Sequence, residues 1–219
     1  MNIIIIGPGT DPTRWGTYFV NRAESDGHKV YKFSYRLDAN TSVEVVERKF
    51  EEFLQTIDKV DLFFYNSMGG FYPGTPSEYT TGHKVDYSAW TQGIMINGAV
   101  PHMMAVKVLE KMNDSSRMAF FTSGGSYFIE RDNYLSLAGY FGTKGVMNQL
   151  MVALAHNNDK KAVACCFSPH FPYEDPEMAK KVMNSLYDRI LNISKKDNGK
   201  ILQCFPPNAD IHYFEGRNL

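Results

Sequence analysis

A chain of 219 residues is long enough to bury a sizeable core, and with 43% hydrophobic and 21% charged residues it is not expected to be disordered. Lys and Arg number 23 and Asp and Glu 24, a formal charge of −1 that provides neither a basic footprint for nucleic acid nor a polybasic patch for a membrane. No apolar run reaches the roughly 18 residues of a bilayer span, the start Met1-Asn2-Ile3 has no basic n-region, and Cys165, Cys166 and Cys204 lack metal-ligand spacing. The expectation is a cytoplasmic protein with buried, reduced thiols and no metal, whose partner is a small molecule or another copy of itself.

Short apolar runs alternate with helix-like segments, the pattern of an α/β protein with a parallel sheet. Residues 2–7 are a β-branched run suited to a strand buried on both faces. A turn follows, Gly7-Pro8-Gly9-Thr10-Asp11-Pro12-Thr13-Arg14-Trp15-Gly16. The spacing predicts a helix over 15–26 that leaves through Gly27-His28, then a second strand over 29–34. Thr41-Ser42 reads as the cap of a helix running to about residue 57, because Val43, Val46, Phe50 and Leu54 recur at three- and four-residue spacing. A strand at 61–65 enters the turn Asn66-Ser67-Met68-Gly69-Gly70, and 71–84, rich in Gly, Pro, Thr and Tyr, reads as a surface loop. A long helical region over 87–112, a strand at 117–122, a helix at 139–157, a strand at 162–168, a helix at 176–193 and a final strand at 200–205 complete the chain. With no linker, repeat or low-complexity tract, one domain over 1–219 is expected.

Two features of this pattern carry chemistry. A strand, a glycine turn and a helix at the N-terminus can hold a nucleotide phosphate, because helix N-termini present unpaired N–H groups and glycines let the backbone approach a ligand. Tyr140 and Lys144 lie four residues apart at the head of a helix and so share one face. A cation beside a phenol favours the phenolate, which brings the pair toward general acid/base chemistry.

Taken in order, these pieces make the chain resemble the short-chain dehydrogenase/reductase family over essentially its whole length. Gly7 and Gly16 are similar to the first and last glycines of the family's Thr-Gly-x-x-x-Gly-x-Gly turn, in a loop a few residues longer and with Ile6 in place of the Thr. Asp38-Ala39-Asn40-Thr41 resembles the Asp-Val-Thr-Asp segment whose first Asp meets the adenine. Asp61-Leu62-Phe63-Phe64-Tyr65-Asn66-Ser67-Met68-Gly69 resembles the strand and turn that other members write Asp-x-Leu-Val-Asn-Asn-Ala-Gly, with Asn66 as the matching asparagine. Asn97 falls where the family keeps a catalytic asparagine in its central helix. Phe120-Phe121-Thr122-Ser123-Gly124-Gly125-Ser126 resembles the strand end bearing the catalytic serine. Ser123, 17 positions before Tyr140, is preferred, and Ser126, 14 before it, is the alternative. Ser168-Pro169-His170 matches the family's Pro-Gly after the sixth strand, with His170 where Gly is usual.

The resemblance implies a Rossmann-like, doubly wound parallel sheet with helices on both faces, and an NADP(H)-dependent oxidoreductase that interconverts a carbonyl and an alcohol. Tyr140 would exchange the proton with the substrate oxygen, Lys144 lower its pKa and bind the nicotinamide ribose, Ser123 polarise the carbonyl and Asn97 anchor a water in the proton relay. The implied cofactor positions are Gly7, Gly9, Arg14, Trp15, Gly16, Arg36, Asp38, Asn66, Ser67, Gly69, Tyr140, Lys144 and Pro169. Arg36 ends the second strand and Arg14 precedes Trp15-Gly16, where NADP-preferring members often place a basic residue. A guanidinium grips phosphate through two parallel hydrogen bonds, and no acidic residue stands at the strand end to hold a free 2′-hydroxyl. NADP(H) is therefore preferred, with NAD(H) as the alternative. Because so few residues separate Arg36 from Asp38, the helix that most members carry after the second strand is expected to be missing, leaving a more open adenine side. Family members pair through helices corresponding to 87–112 and 139–157, which implies a homodimer or homotetramer. Substrate selection would lie in 71–84, 127–137 and 170–178. A non-catalytic NAD(P)-binding sensor or scaffold on the same fold is the rival reading.

Overall fold

Four consecutive isoleucines make up most of β1 (Asn2–Ile6), and all four are fully buried. Ile3 and Ile5 join one core cluster and Ile4 and Ile6 the other, as the period of two requires in a strand covered on both faces. The computed structural model describes residues 1–37, 42–67, 87–123, 138–169, 174–205 and 210–213. After β1 come α1 (Trp15–Ser25), β2 (Lys29–Phe33), α2 (Val43–Leu54) and β3 (Leu62–Tyr65). They are followed by α3 (Tyr87–Ile94), a π-helical turn (Met95–Ala99), α4 (Val100–Leu109), β4 (Arg117–Phe121) and α5 (Ala138–Asn157). The chain closes with β5 (Val163–Pro169), α6 (Pro176–Leu191), β6 (Ile201–Phe205) and β7 (Asp210–Tyr213).

Among the described residues the strands form one sheet in the order β2-β1-β3-β4-β5-β6-β7. The first six are parallel and β7 runs antiparallel to β6. The fold is thus Rossmann-like α/β. One core cluster includes residues of α2, α4 and α5, and the other residues of α1 and α6. No described helix is long and apolar enough to cross a membrane. From β1 the chain steps to one side for β2 and to the other for β3, so the crevice at the carboxyl ends of β1 and β3 is the switch point where such sheets bind ligands.

Local signals place most boundaries. Gly27, at φ +80°, ends α1 in a Schellman arrangement, with His28 N–H donating to Ala23 O and Gly27 N–H to Glu24 O. Asp175 caps α6 by accepting from Met178 N at 3.0 Å, with Pro176 in the first turn.

Two features depart from the expected elements. The strand at 200–205 is not the last, since β7 follows it; four residues of mixed polarity at a sheet edge carry little period-two signal. The helix expected over 87–112 is broken by the π turn. Pro101 cannot return an N–H to Asn97 four residues earlier, and its ring crowds that carbonyl, so the turn widens there. On the β2 side the chain passes directly from β2 to α2 with no further strand among the described residues, as the short connection predicts. The connection starts from a fixed point: Leu37 is buried in the core and its carbonyl accepts from Gln92 Nε2 of α3 at 2.9 Å.

Candidate active site

At the switch point the turns after β1 and β3 are knitted together. Asn66 donates from its backbone N–H to Ile6 O at 3.0 Å and from Nδ2 to Gly7 O at 2.7 Å. Gly7 adopts φ +67°, and a Cβ there would lie 3.0 Å from Ser67 Cα. Gly16 is tighter still: a Cβ would stand 2.1 Å from Pro8 O and 2.8 Å from Asn66 Nδ2, so only glycine lets α1 start so close to the turn. Gly9, at φ +74°, has open space where a Cβ would be. Between these glycines Asp11 accepts from Thr13 N and Oγ1 at 2.9 and 2.7 Å, bonds that hold its carboxyl below the usual range. Arg14 Nε lies 3.5 Å from Asp11.

The second group of residues sits at the carboxyl end of β4. Lys144, fully buried on α5, donates from Nζ to Phe121 O at 2.8 Å and so ties its helix to the strand end that leads to the half-buried Ser123. Asn97, fully buried in the π turn, donates from Nδ2 to Thr143 Oγ1 at 3.0 Å, and Thr143 Oγ1 donates to Tyr140 O at 2.9 Å. The glycines of the packed helices allow this approach. A Cβ at Gly93 would fall 2.8 Å from Thr143 Cγ2, one at Gly98 2.8 Å from Val146, and one at Gly142 2.7 Å from Trp90.

Electrostatics at the Tyr140–Lys144 pair differ from the expectation. Burial pushes the Tyr140 phenol up to about 12 and Lys144 down to about 7, with the nearby Cys166 working weakly in the opposite direction on the lysine. The ammonium lies 5.9 Å from the Tyr140 ring centroid and is directed to the Phe121 carbonyl. Desolvation disfavours both charged forms and outweighs the attraction that spacing alone suggested. Such paired departures are common where side chains do chemistry.

The expected residues thus fall into two places. Gly7, Gly9, Arg14, Gly16, Asn66 and Ser67 belong to the turns around the switch point, while Asn97, Tyr140 and Lys144 are linked to one another and to the end of β4. Pro169 ends β5, in register with Cys204 of β6. Arg36 is exposed just past β2. Trp15 opens α1 beside the turn; its side chain is 2% exposed and packs with Phe19, Phe64 and Phe121, which leaves its backbone as the part that can meet a ligand. Its motif position was legible, but the aromatic core that claims the ring is assembled from α1 itself and two strands distant in the chain, β3 and β4. Asp38, Gly69, Ser126 and His170 lie outside the described residues, as do the expected selectivity stretches 71–84 and 127–137 and, of 170–178, the first four residues. Sequence reasoning missed Thr143, which joins Asn97 to the Tyr140 turn. Its signal was its place inside Tyr140-Phe141-Gly142-Thr143-Lys144, one residue before the lysine.

No profile of a known protein family matches the sequence, and no curated protein is significantly similar to it. Solved structures are similar in fold. An oxidoreductase of the short-chain dehydrogenase/reductase type from Brucella ovis has a TM-score of 0.71 at 12% identity, with 92% of this chain and 98% of that one covered. The promiscuous reductase LugOII, which catalyses keto-reduction at C1 during lugdunomycin biosynthesis, has a TM-score of 0.67 at 15% identity over 92% of this chain and 94% of its own. A short chain dehydrogenase from Shigella flexneri, solved in complex with NADP, has a TM-score of 0.65 at 15% identity over 92% and 95%. The chain therefore has the fold of the short-chain dehydrogenases/reductases.

Proposed function

We propose that this chain is a divergent short-chain dehydrogenase/reductase, a single NAD(P)-binding domain that uses NADP(H) to interconvert a carbonyl and an alcohol on a small molecule. The observation that carries the reading is the linkage of Asn97, Tyr140 and Lys144 to one another and to the β4 end that leads to Ser123, beside the switch-point crevice. The switch-point residues fit a dinucleotide. Gly9 exposes backbone at a positive φ with open space above it, and the N-terminus of the 11-residue helix α1 favours a phosphate. Gly7, Gly9, Arg14, Gly16, Asn66 and Ser67 would line the phosphate and ribose path, with Arg36 on a 2′-phosphate and Lys144 and Pro169 toward the nicotinamide. Asp11 opposes this fit, because its carboxylate engages Arg14 and a phosphate must compete for the guanidinium.

When bound, the cofactor supplies the hydride. Ser123 holds the substrate carbonyl oxygen, and Tyr140 O–H passes its proton to that oxygen as negative charge builds there. Burial keeps the Tyr140 phenol protonated, so the proton is in place for the reductive direction, while the same burial makes it a weaker acid. Lys144, near neutrality in its titration, can take part in returning a proton toward Tyr140, and Asn97 is held beside this path by Thr143. The deciding experiment is calorimetric titration of wild type and Arg36→Ala with NADPH and NADH. NADPH is expected to bind more tightly, with about a tenfold loss in Arg36→Ala and little change for NADH. Absence of binding by either nucleotide contradicts the proposal.

A non-catalytic NAD(P)-binding sensor or scaffold is the second reading, favoured by the commitment of Lys144 Nζ to a backbone carbonyl and by the raised Tyr140 pKa. Consumption of NADPH with a panel of aldehydes, ketones and quinones separates the two. A cytoplasmic location is proposed on the ground that Cys165 and Cys166 are buried and unbridged. A homodimer or homotetramer through α3, α4 and α5 is also proposed. Ile94 and Val106 are exposed there, and Pro101, His102, Met147 and Leu150 help line a groove between α4 and α5. Light scattering is expected to give at least twice the 24.9 kDa chain mass, and a monomer contradicts the pairing.

A further inference from the structure

The carbonyl of Ile96 is set apart from its own helix by two features of the sequence. In an α-helix its donor would be the Val100 N–H, but the widened turn gives that N–H to Met95 O. The next residue is Pro101, which has no N–H to give. The Tyr65 phenol, at the end of β3, donates to Ile96 O at 2.5 Å. A phenol carries one proton, so with that proton committed to Ile96, the hydrogen bond between Tyr35 and Tyr65 has the Tyr35 hydroxyl as its donor.

Tyr35 and Leu37 flank Arg36 on the segment that leaves β2. On one side of Arg36 the segment is fastened through Tyr35 and Tyr65 to the π turn that carries Asn97. On the other it is fastened through the Leu37 carbonyl to Gln92 of α3. Arg36 itself is exposed between the two ties. Tyr65 is fully buried in the cluster that also contains Leu37 and Ile96, so it acts on a nucleotide only through the residues it holds.

We propose that Tyr65 is a positioning residue for recognition of nucleotides bearing a 2′-phosphate: its hydroxyl accepts from Tyr35 and donates to Ile96 O, and so fixes the backbone from which Arg36 reaches the phosphate. The inference rests on the cofactor reading above and deepens it. A guanidinium on a loose loop must give up backbone freedom when it binds, whereas a segment pinned on both sides has lost that freedom already. The short connection between β2 and α2 makes such pinning effective, since few residues separate the tie at Leu37 from the start of α2.

The test is Tyr65→Phe, which removes one hydroxyl and keeps the ring that packs near Phe120. Two readouts are used: hydrogen exchange of the 34–37 amides in the protein alone, and fluorescence titration with 2′,5′-ADP and 5′-AMP. Exchange at 34–37 is expected to quicken about tenfold, and the preference for 2′,5′-ADP over 5′-AMP to fall about fivefold with 5′-AMP affinity little changed. An unchanged preference overturns the inference, including the case in which both nucleotides weaken equally, which is the mark of a merely structural role. Wild type that binds neither nucleotide overturns the cofactor reading and this inference with it; wild type that discriminates as well as Tyr65→Phe does overturns this inference alone. If Tyr65→Phe does not fold, Tyr35→Phe cuts the same link from its half-buried end, leaves the Tyr65 bond to Ile96 in place, and decides by the same ratio.

Discussion

Replacing Tyr140 by Phe is expected to lower turnover by about a thousandfold while leaving NADPH affinity nearly unchanged. The substitution removes one oxygen from a ring that is already largely buried, and the backbone carbonyl of residue 140 that accepts from Thr143 remains. Packing, the Asn97–Thr143 hydrogen bond and the tie between Lys144 and Phe121 should therefore survive, so a fall in rate reports the lost proton donor. The measurement is steady-state NADPH oxidation with a carbonyl that the wild type reduces, beside a binding titration of the variant. A variant that keeps near-normal turnover would remove Tyr140 from the chemistry. One that loses turnover and NADPH binding together would show that the phenol holds the nucleotide instead of delivering a proton.

Lys144→Met should stabilise the protein at and below neutral pH and flatten its stability profile on the alkaline side. Burial holds the lysine at about 7 in the native state, against 10.5 for an ordinary lysine. Between those values the unfolded chain binds a proton that the native chain does not, so this group makes stability rise with pH across the window. Below about pH 7 both states are protonated, and the native state carries the full cost of a buried ammonium, on the order of 3–5 kcal/mol. Methionine removes that cost and fills similar space. It also gives up the hydrogen bond to Phe121 O, which offsets about 1 kcal/mol of the gain. Urea unfolding of both proteins between pH 6 and 10 tests this. The scan stops near 10 because Tyr140, whose native pKa is raised to about 12, contributes stability that is lost at higher pH and would mask the comparison. A methionine variant that is less stable at pH 6 and keeps the wild-type slope would contradict the assignment. A buried lysine held at such a cost fits the role proposed for Lys144.

Much of this architecture was legible in the sequence, because the relevant signals are local. The isoleucine run of β1, the three- and four-residue spacing in α2 and the Gly27-His28 exit of α1 each report a backbone period or a dihedral requirement that a few neighbouring residues settle. The order of those elements also located the switch-point turns and the Tyr140–Lys144 pair. What escaped were features made by residues far apart in the chain. Asn97 meets Thr143 across 46 positions and Tyr65 meets Ile96 across 31. Pro101 was visible, but its consequence depends on β3 supplying a phenol to the carbonyl that the widened turn leaves. Trp15 was named as a cofactor position from its place in the turn, and its ring belongs to the core, because Phe64 and Phe121 arrive beside it from strands that only the folded sheet aligns. The Tyr140–Lys144 pair shows the same division most clearly. Spacing alone put a cation beside a phenol and so determined which residues share a helix face, whereas the tertiary structure decided how far each is removed from water, and that desolvation drives both pKa values toward the neutral forms.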